Sequence, residues 1–245
     1  MILELDIGNT RGKWRFLRGA EVLLRGDIGT PQLREGVLPD EWAELSPHRV
    51  RVVNVAGPQI AEILVEAVKV RFALQVEFSS VLPECAGVVC GYDDPRSLGA
   101  DRWLAMLAAY QKSAQAALIV DCGSAVTLDL LDNGGCHIGG YIVPGFGLMN
   151  RALSADTHAA KSCEDLTLTK VLGAGRNTNE AINRGLLLMV MGAVDRAMQE
   201  LQAFSGSRPL LWLTGGDARL LSSVYQQQHH LAPDLVMDGL ALSNP

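Results

Sequence analysis

A carboxylate that ends an apolar run, followed by x-Gly and then a small hydroxyl or amide residue, occurs twice in this chain of 245 residues. The first copy is Ile2-Leu3-Glu4-Leu5-Asp6-Ile7-Gly8-Asn9-Thr10, and the second is Ala117-Leu118-Ile119-Val120-Asp121-Cys122-Gly123-Ser124-Ala125. Each puts an acid at a strand C-terminus with a Gly beside it, so that backbone N–H groups and a hydroxyl can face a phosphate. Lys13 adds a cation able to neutralise charge on a transferring phosphoryl group. The first copy alone reads better as a tight hairpin with an Asx turn. The repetition favours two loops that hold a polyphosphate and its metal between two lobes. In the second copy Thr127 and Asp129 alternate along the next strand and share a face with Ala125.

A third constellation, Gly99-Ala100-Asp101-Arg102, opens a helix after Asp93-Asp94-Pro95-Arg96. An acid in a first helical turn compensates the helix dipole, which is reason enough for Asp101. With an Arg adjacent, a second reading stands beside it: Asp101 accepts a hydroxyl proton while Arg102 binds a carboxylate on the acceptor. Gly139-Gly140-Tyr141-Ile142-Val143-Pro144-Gly145 carries a strand into a helix where backbone passes close to a ligand or to another segment. Thr214-Gly215-Gly216-Asp217 is a strand-to-helix turn of the kind that contacts a nucleoside in two-lobed kinases. The chain has neither G-x-x-x-x-G-K-[ST] nor G-x-G-x-x-G, so P-loop and Rossmann sites are not supported.

The composition narrows the partners. A net charge of −6 without a Lys/Arg cluster lacks the electrostatic footprint of a nucleic-acid binder. The longest apolar run, Gly185 to Val194, is about half the ~20 residues needed to cross a bilayer and reads as a buried helix. Met1 leads straight into a strand with no cationic or apolar leader, which points to the cytoplasm. Cys85, Cys90, Cys122, Cys136 and Cys163 are odd in number and form no C-x-x-C or C-x-x-H pattern, so they give no zinc site or disulfide framework and most of them read as small buried hydrophobes. His48, His137, His158, His229 and His230 fall in no recognised nucleophile motif and read mostly as surface residues.

These loops need elements to carry them. Residues 1–6, 12–18 and 21–28 read as a three-strand meander. A strand over Arg51 to Val55, a helix opened by Gly57-Pro58 and a strand over Leu74 to Phe78 read as a β-α-β crossover. The second half repeats the meander at Ala117–Asp121, Ala125–Leu131 and Cys136–Val143, with Asp132-Asn133-Gly134-Gly135 as a turn. A long helix over Asn177–Ala203, a strand over Leu210–Leu213 and a helix from Asp217 follow. Ala100–Ser113 reads as a helix running from one lobe to the next, with the boundary near Ser113, so that residues 1–113 and 114–245 form the two lobes.

In order and spacing these segments resemble the type III pantothenate kinases, within the superfamily of acetate and sugar kinases, Hsp70 and actin. The resemblance covers essentially the whole chain and rests on Asp6-Ile7-Gly8-Asn9-Thr10 with Lys13, Tyr92, Gly99 to Arg102, Asp121 to Ala125, Gly139 to Gly145, Asn177 to Ile182 with Gly185, and Thr214 to Asp217. It implies an α/β fold of two ribonuclease H-like lobes of the actin-like ATPase type, with the active site in the interlobe cleft. The implied reaction is ATP-dependent phosphorylation of pantothenate to 4'-phosphopantothenate, the first step of coenzyme A synthesis. By similarity Asp6, Ile7, Gly8, Asn9, Thr10, Arg11, Gly12 and Lys13 bind ATP phosphates, with Asp6 helping to hold Mg²⁺. Asp101 is the general base, and Tyr92, Gly99, Ala100, Asp101, Arg102 and Thr178 bind pantothenate, the Arg pairing with its carboxylate. Asp121 resembles the ligand of a monovalent cation, K⁺ or NH₄⁺, and Ser124 the ATP-binding hydroxyl. The family usually has Thr at that last position; Ser keeps the donor and loses the methyl that restricts its rotamer. Homodimers are implied, with the helix around Leu186–Val194 contributing to the contact.

Two other readings fit parts of the pattern. A non-catalytic ligand sensor or transcription accessory factor, like the Bvg accessory factor, shares this fold, but would not need Lys13, Asp101 and Arg102 together. Another kinase or a phosphatase of the superfamily would share the phosphate loops without needing Tyr92 and Gly99 to Arg102.

Overall fold

The computed structural model describes residues 1–156 and 173–245, so His158 and Cys163 lie outside the described residues. Strands β1 (Ile2–Ile7), β2 (Arg11–Arg18) and β3 (Glu21–Gly29) form an antiparallel meander, followed by the short helix α1 (Thr30–Arg34) and a 3-10 turn at Asp40–Glu44. Then come β4 (Arg49–Asn54), α2 (Pro58–Phe72) and β5 (Val76–Phe78), the two strands parallel. Proline at the first turn of α2 needs no hydrogen-bond partner for a missing N–H, and Ala73 closes that helix in the left-handed region at φ 53°. Two short strands, β6 (Glu84–Cys85) and β7 (Val88–Val89), precede α3 (Ala100–Ser113).

The second half runs β8 (Ala117–Cys122), β9 (Ala125–Leu131), β10 (His137–Pro144), α4 (Phe146–Asp156), α5 (Thr178–Ser205), β11 (Leu210–Thr214), α6 (Ala218–Val224), β12 (His230–Leu231) and α7 (Leu235–Ser243). Its sheet order, β10-β9-β8-β11-β12, repeats the order β3-β2-β1-β4-β5 of the first sheet strand for strand. The duplication legible in two short motifs is therefore a duplication of whole sheets. Two compact units result: residues 1–86, 92–108 and 235–245 make the first, and residues 87–91 and 109–234 the second. The C-terminal helix thus belongs to the first unit, because its apolar residues Leu235, Val236, Met237 and Leu240 are buried there.

Alternation along the strands decides where each carboxylate goes. Leu3, Leu5 and Ile7 enter an apolar core with Trp14, Trp42, Ile60 and Leu64, so Glu4 and Asp6 fall on the opposite face of the first sheet. In the second unit Leu118, Val120 and Cys122 pack with Leu187, Val190 and Val194 of α5, and Asp121 takes the opposite face.

Three expectations are corrected here. The run Gly185–Val194 is not buried all round: Leu188 and Met189 are 70% and 63% exposed, because only one stripe of a helix at 3.6 residues per turn can face the sheet. His137 is buried and not on the surface, 3.2 Å from Asp129 through Nε2. Asp129, 1% exposed, keeps the strand face that it shares with Thr127. Of the described cysteines only Cys122 is buried, Cys136 being exposed and Cys85 and Cys90 half-buried. His229 also has a partner, with Nε2 2.8 Å from Ser222 Oγ.

Candidate active site

Asp6 ends β1 in cross-strand register with Lys13 of β2, and Lys13 is in register with Asp27 of β3, so one cation sits between two acids on a single face. The hairpin Gly8–Thr10 between these strands is held from below. Gly8 N–H donates to the Arg11 carbonyl at 3.2 Å, and the Thr30 hydroxyl donates to the Gly8 carbonyl at 2.7 Å. Thr30 N–H donates to the Thr10 carbonyl at 3.2 Å. Thr30 is fully buried, which fixes the loop while leaving Asn9, Thr10 and Arg11 exposed to a ligand. Sequence reasoning missed Thr30; the Gly29-Thr30-Pro31 helix start was its available signal.

Asp101 lies in the first turn of α3, and its Oδ1 accepts from Arg102 N–H at 2.8 Å. A Cβ on Gly99 would stand 2.6 Å from that same oxygen, so the carboxylate can curl back over the helix start only because residue 99 has no side chain. Burial drives the pKa of Asp6 up to about 7, with the charge of Asp101 adding to the effect and Lys13 opposing it. Two carboxylates that feel each other's charge, with Lys13 in register with one of them, make a place suited to a cation and to a proton in transit. Arg102 is buried. Its Nη1 donates to the Tyr92 hydroxyl at 3.0 Å and its guanidinium carbon lies 5.6 Å from the centre of the Tyr92 ring. Tyr92 and Arg102, separate in the chain, therefore present one composite group.

Beside the start of α3 is a cavity of about 350 Å³ lined by Asn54, Val55, Arg96, Leu98, Gly99 and Ala100 among others. Gly99 and Ala100 were read from the sequence as part of the site; Asn54, Val55 and Arg96 were not. The end of β4 gave the clue, since the Asn54 side chain accepts from Ala56 N–H and donates to the Gly57 carbonyl to turn the chain there.

In the second unit, Gly123 N–H donates to the Ala125 carbonyl at 3.0 Å, the counterpart of the Gly8 bond, and Ser124 is exposed. Asp121 pairs in register with Thr127, the position that Lys13 occupies in the first sheet. The rung has thus kept its acid and lost its cation. Gly215 is left-handed at φ 91°, and a Cβ there would collide with Asp121 Oδ1 and the Cys122 carbonyl, a cradle of oxygens that only glycine leaves open. Asp217 N–H donates to that carbonyl at 2.9 Å, and burial raises the Asp217 pKa. Burial first, then the charges of Asp121 and Asp217, push the Cys122 thiol pKa upward as well, which keeps it protonated and inert. Thr178 starts α5 in the same unit. Asn177 accepts from Glu180 N–H at 2.9 Å, and Glu180 accepts in return from Arg176 N–H at 3.0 Å.

Twin sheets of order 3-2-1-4-5, each with an acid and a glycine hairpin at the end of its first strand, define the α/β fold of two ribonuclease H-like lobes found in the actin-like ATPases and sugar kinases. The solved structures agree on the fold. MreB5 of Spiroplasma citri bound to AMPPNP aligns over 99% of this chain and 95% of its own, with TM-score 0.54 and 14% identity. A structure from Campylobacter jejuni described as a Baf family transcriptional activator aligns over 98% and 95%, with TM-score 0.64 and 19% identity, a likeness of fold alone.

The chain belongs to the type III pantothenate kinase family, whose sequence model matches residues 2–200. Type III pantothenate kinases of Chromohalobacter salexigens and Pseudomonas putida are 39% and 36% identical to it, each across 100% of this chain and over 88% and 99% of their own lengths. It is accordingly a transferase that phosphorylates pantothenate with ATP, the first step of coenzyme A synthesis, and the accessory-factor alternative is not favoured. No helix among the described residues is long and apolar enough to cross a membrane.

Proposed function

We propose that transfer is direct and in line from ATP to the primary hydroxyl of pantothenate, with Asp101 as the general base. The observation that carries this is Asp101 held at the start of α3 by Arg102 N–H within electrostatic reach of Asp6, which stands in register with Lys13. Asp101 Oδ1 is held by Arg102 N–H, which leaves the other carboxylate oxygen to take the hydroxyl proton. Lys13 offsets charge on the phosphoryl group, while Asn9, Thr10 and the backbone of the Gly8–Gly12 hairpin bind phosphate oxygens. The Tyr92–Arg102 pair binds the acceptor carboxylate, and Val55, Leu98 and Ala100 in the adjoining cavity suit its apolar gem-dimethyl centre. Ser124 and Thr178 complete the assignments, to the nucleotide and to pantothenate.

Both cations fit the residues present. Mg²⁺ is an ion that uses one or two carboxylates, water and substrate phosphates, a demand that the site's acids can meet. The desolvated Asp6 is the carboxylate a divalent ion would discharge; when bound, Mg²⁺ neutralises phosphate charge. The oxygen cradle of Asp121, Cys122 and Gly215 suits K⁺ or NH₄⁺, which supplies a fixed positive charge.

The test is ³¹P NMR of the protein with ATP, Mg²⁺, K⁺ and pantothenate, in which a phosphomonoester of pantothenate should grow as ADP forms. Exchanging K⁺ for Na⁺ at constant ionic strength should slow that growth about tenfold. Equal rates in the two salts would remove the cation from Asp121.

The protein acts as a cytoplasmic homodimer in this reading, with neither nucleic acid nor membrane as partner. Exposed Leu188 and Met189 on α5 support the contact, being large apolar groups left in water by the chain's own core. Sedimentation velocity of Leu188→Glu/Met189→Glu should show monomers where the parent sediments as a dimer; an unchanged dimer would place the contact elsewhere.

A further inference from the structure

The face of the first sheet that carries Asp6 continues inward as ions. Glu4, one rung below Asp6, is fully buried and accepts from Arg15 Nε at 2.6 Å and from Arg51 Nη1 at 3.3 Å. Arg15 stands opposite Glu4 as Lys13 stands opposite Asp6, and its Nη1 reaches Asp238 of α7 at 2.9 Å. The residue after Asp238 is Gly239, where a Cβ would collide with the Leu104 carbonyl oxygen of α3 and lie 2.6 Å from its carbon. Leu104 is one helical turn from Asp101.

Stability alone does not account for this network. A buried ion pair is commonly matched or bettered by packed hydrophobic residues, and Arg51 Nε is buried here with no hydrogen-bond partner among the described residues. The second sheet shows that the topology does not demand it. At the rung equivalent to Glu4, Arg15 and Arg51 it has Ile119, Asp129 and Trp212, so its first and fourth strands carry apolar residues there. What the ions add is direction, since a guanidinium that bridges two carboxylates fixes both.

We infer that Arg15 is a positioning residue for phosphoryl transfer: with Glu4 and Asp238 it locks α7 onto the sheet, and α7, seated through Gly239 on Leu104, sets where the start of α3 holds Asp101 relative to Asp6. The inference rests on the reading of Asp6 and Asp101 as the reacting pair. The frame closes on itself, from Asp6 along β1 to Glu4, across Arg15 to Asp238, through Gly239 to α3 and back to Asp101. An enzyme that depends on such a frame loses kcat when it slackens, whereas its substrates still bind.

The deciding variant replaces the whole network with apolar residues, Glu4→Leu/Arg15→Met/Arg51→Met/Asp238→Leu. Its Tm should match or exceed that of the parent, and kcat per folded protein should fall about tenfold with both KM values within about twofold. Wild-type kcat in the folded variant overturns the inference. Should that variant fail to fold, Asp238→Ala decides, because this end of the network is partly exposed and tolerates change. Its kcat should drop about threefold at constant KM and return with Asp238→Glu; an unchanged kcat overturns the inference equally. If Asp101→Asn itself keeps full turnover, the underlying reading has failed. If Asp101→Asn is crippled while the network variants are not, only the frame is wrong.

Discussion

Asp101→Asn is expected to lower kcat by about 10²–10⁴-fold, the range associated with removing a positioned general base. The substitution is clean because Asn keeps an oxygen to accept from Arg102 N–H, the 2.8 Å bond that seats the side chain at the start of α3. Gly99 continues to leave room for it. The helix loses a favourable charge at its N-terminus, worth about 0.3–1 kcal/mol, so the fold survives. KM for pantothenate should change little, since the carboxylate-binding pair Tyr92 and Arg102 is untouched. Steady-state kinetics with active-site titration checks this, and full turnover in the variant would take the proton elsewhere. An independent readout accompanies the loss: without the Asp101 charge, one of the influences raising the Asp6 pKa disappears, and that pKa falls.

The parts of this site that were legible in the sequence are those whose signal is local. A hairpin acid with its glycine is read within a few residues, and so is the acid at the start of α3. The twin motif also implied twin sheets, and the matching strand orders bear that out. The network behind the site was illegible for a physical reason. In Arg11-Gly12-Lys13-Trp14-Arg15 the period-two alternation says that Lys13 and Arg15 share a face, but a buried ionic face and a solvated one have the same pattern. What distinguishes the two is distant in the chain: Arg51 on Glu4, and Asp238, supplied by a nine-residue helix from the far end. His137 and Asp129 misled in the same way, each polar alone and side by side in the interior, with Nε2 3.2 Å from Oδ1. Thr30 escaped notice because a single hydroxyl that braces a loop from below leaves no periodic trace.

Asp6→Asn should make the protein more stable and nearly inactive, and both effects come from one carboxylate. With a folded-state pKa of about 7, Asp6 binds a proton at pH values where the unfolded chain has already released it. The folded state therefore gains from Asp6 below the ordinary carboxylate pKa and loses that gain as pH rises to about 7, beyond which the cost is complete. About three units at 1.36 kcal/mol each set a ceiling of about 4 kcal/mol, and solvent reaching a partly exposed carboxylate lowers it to about 2 kcal/mol. In the absence of nucleotide and divalent ion, the Tm of Asp6→Asn should exceed that of the parent by about 5 °C at pH 8, with the gap closing toward pH 5. Adding Mg²⁺ and a nucleotide should narrow the gap again at pH 8, because ligand stabilises only the protein that can bind it. Turnover should fall at least about 10²-fold, since an amide cannot discharge onto a cation or offset Lys13 at the phosphates. Thermal melts across pH decide the matter: parallel curves for parent and variant would mean that Asp6 is an ordinary solvated acid. A carboxylate partly desolvated in the absence of a cation would then have to be sought in another residue.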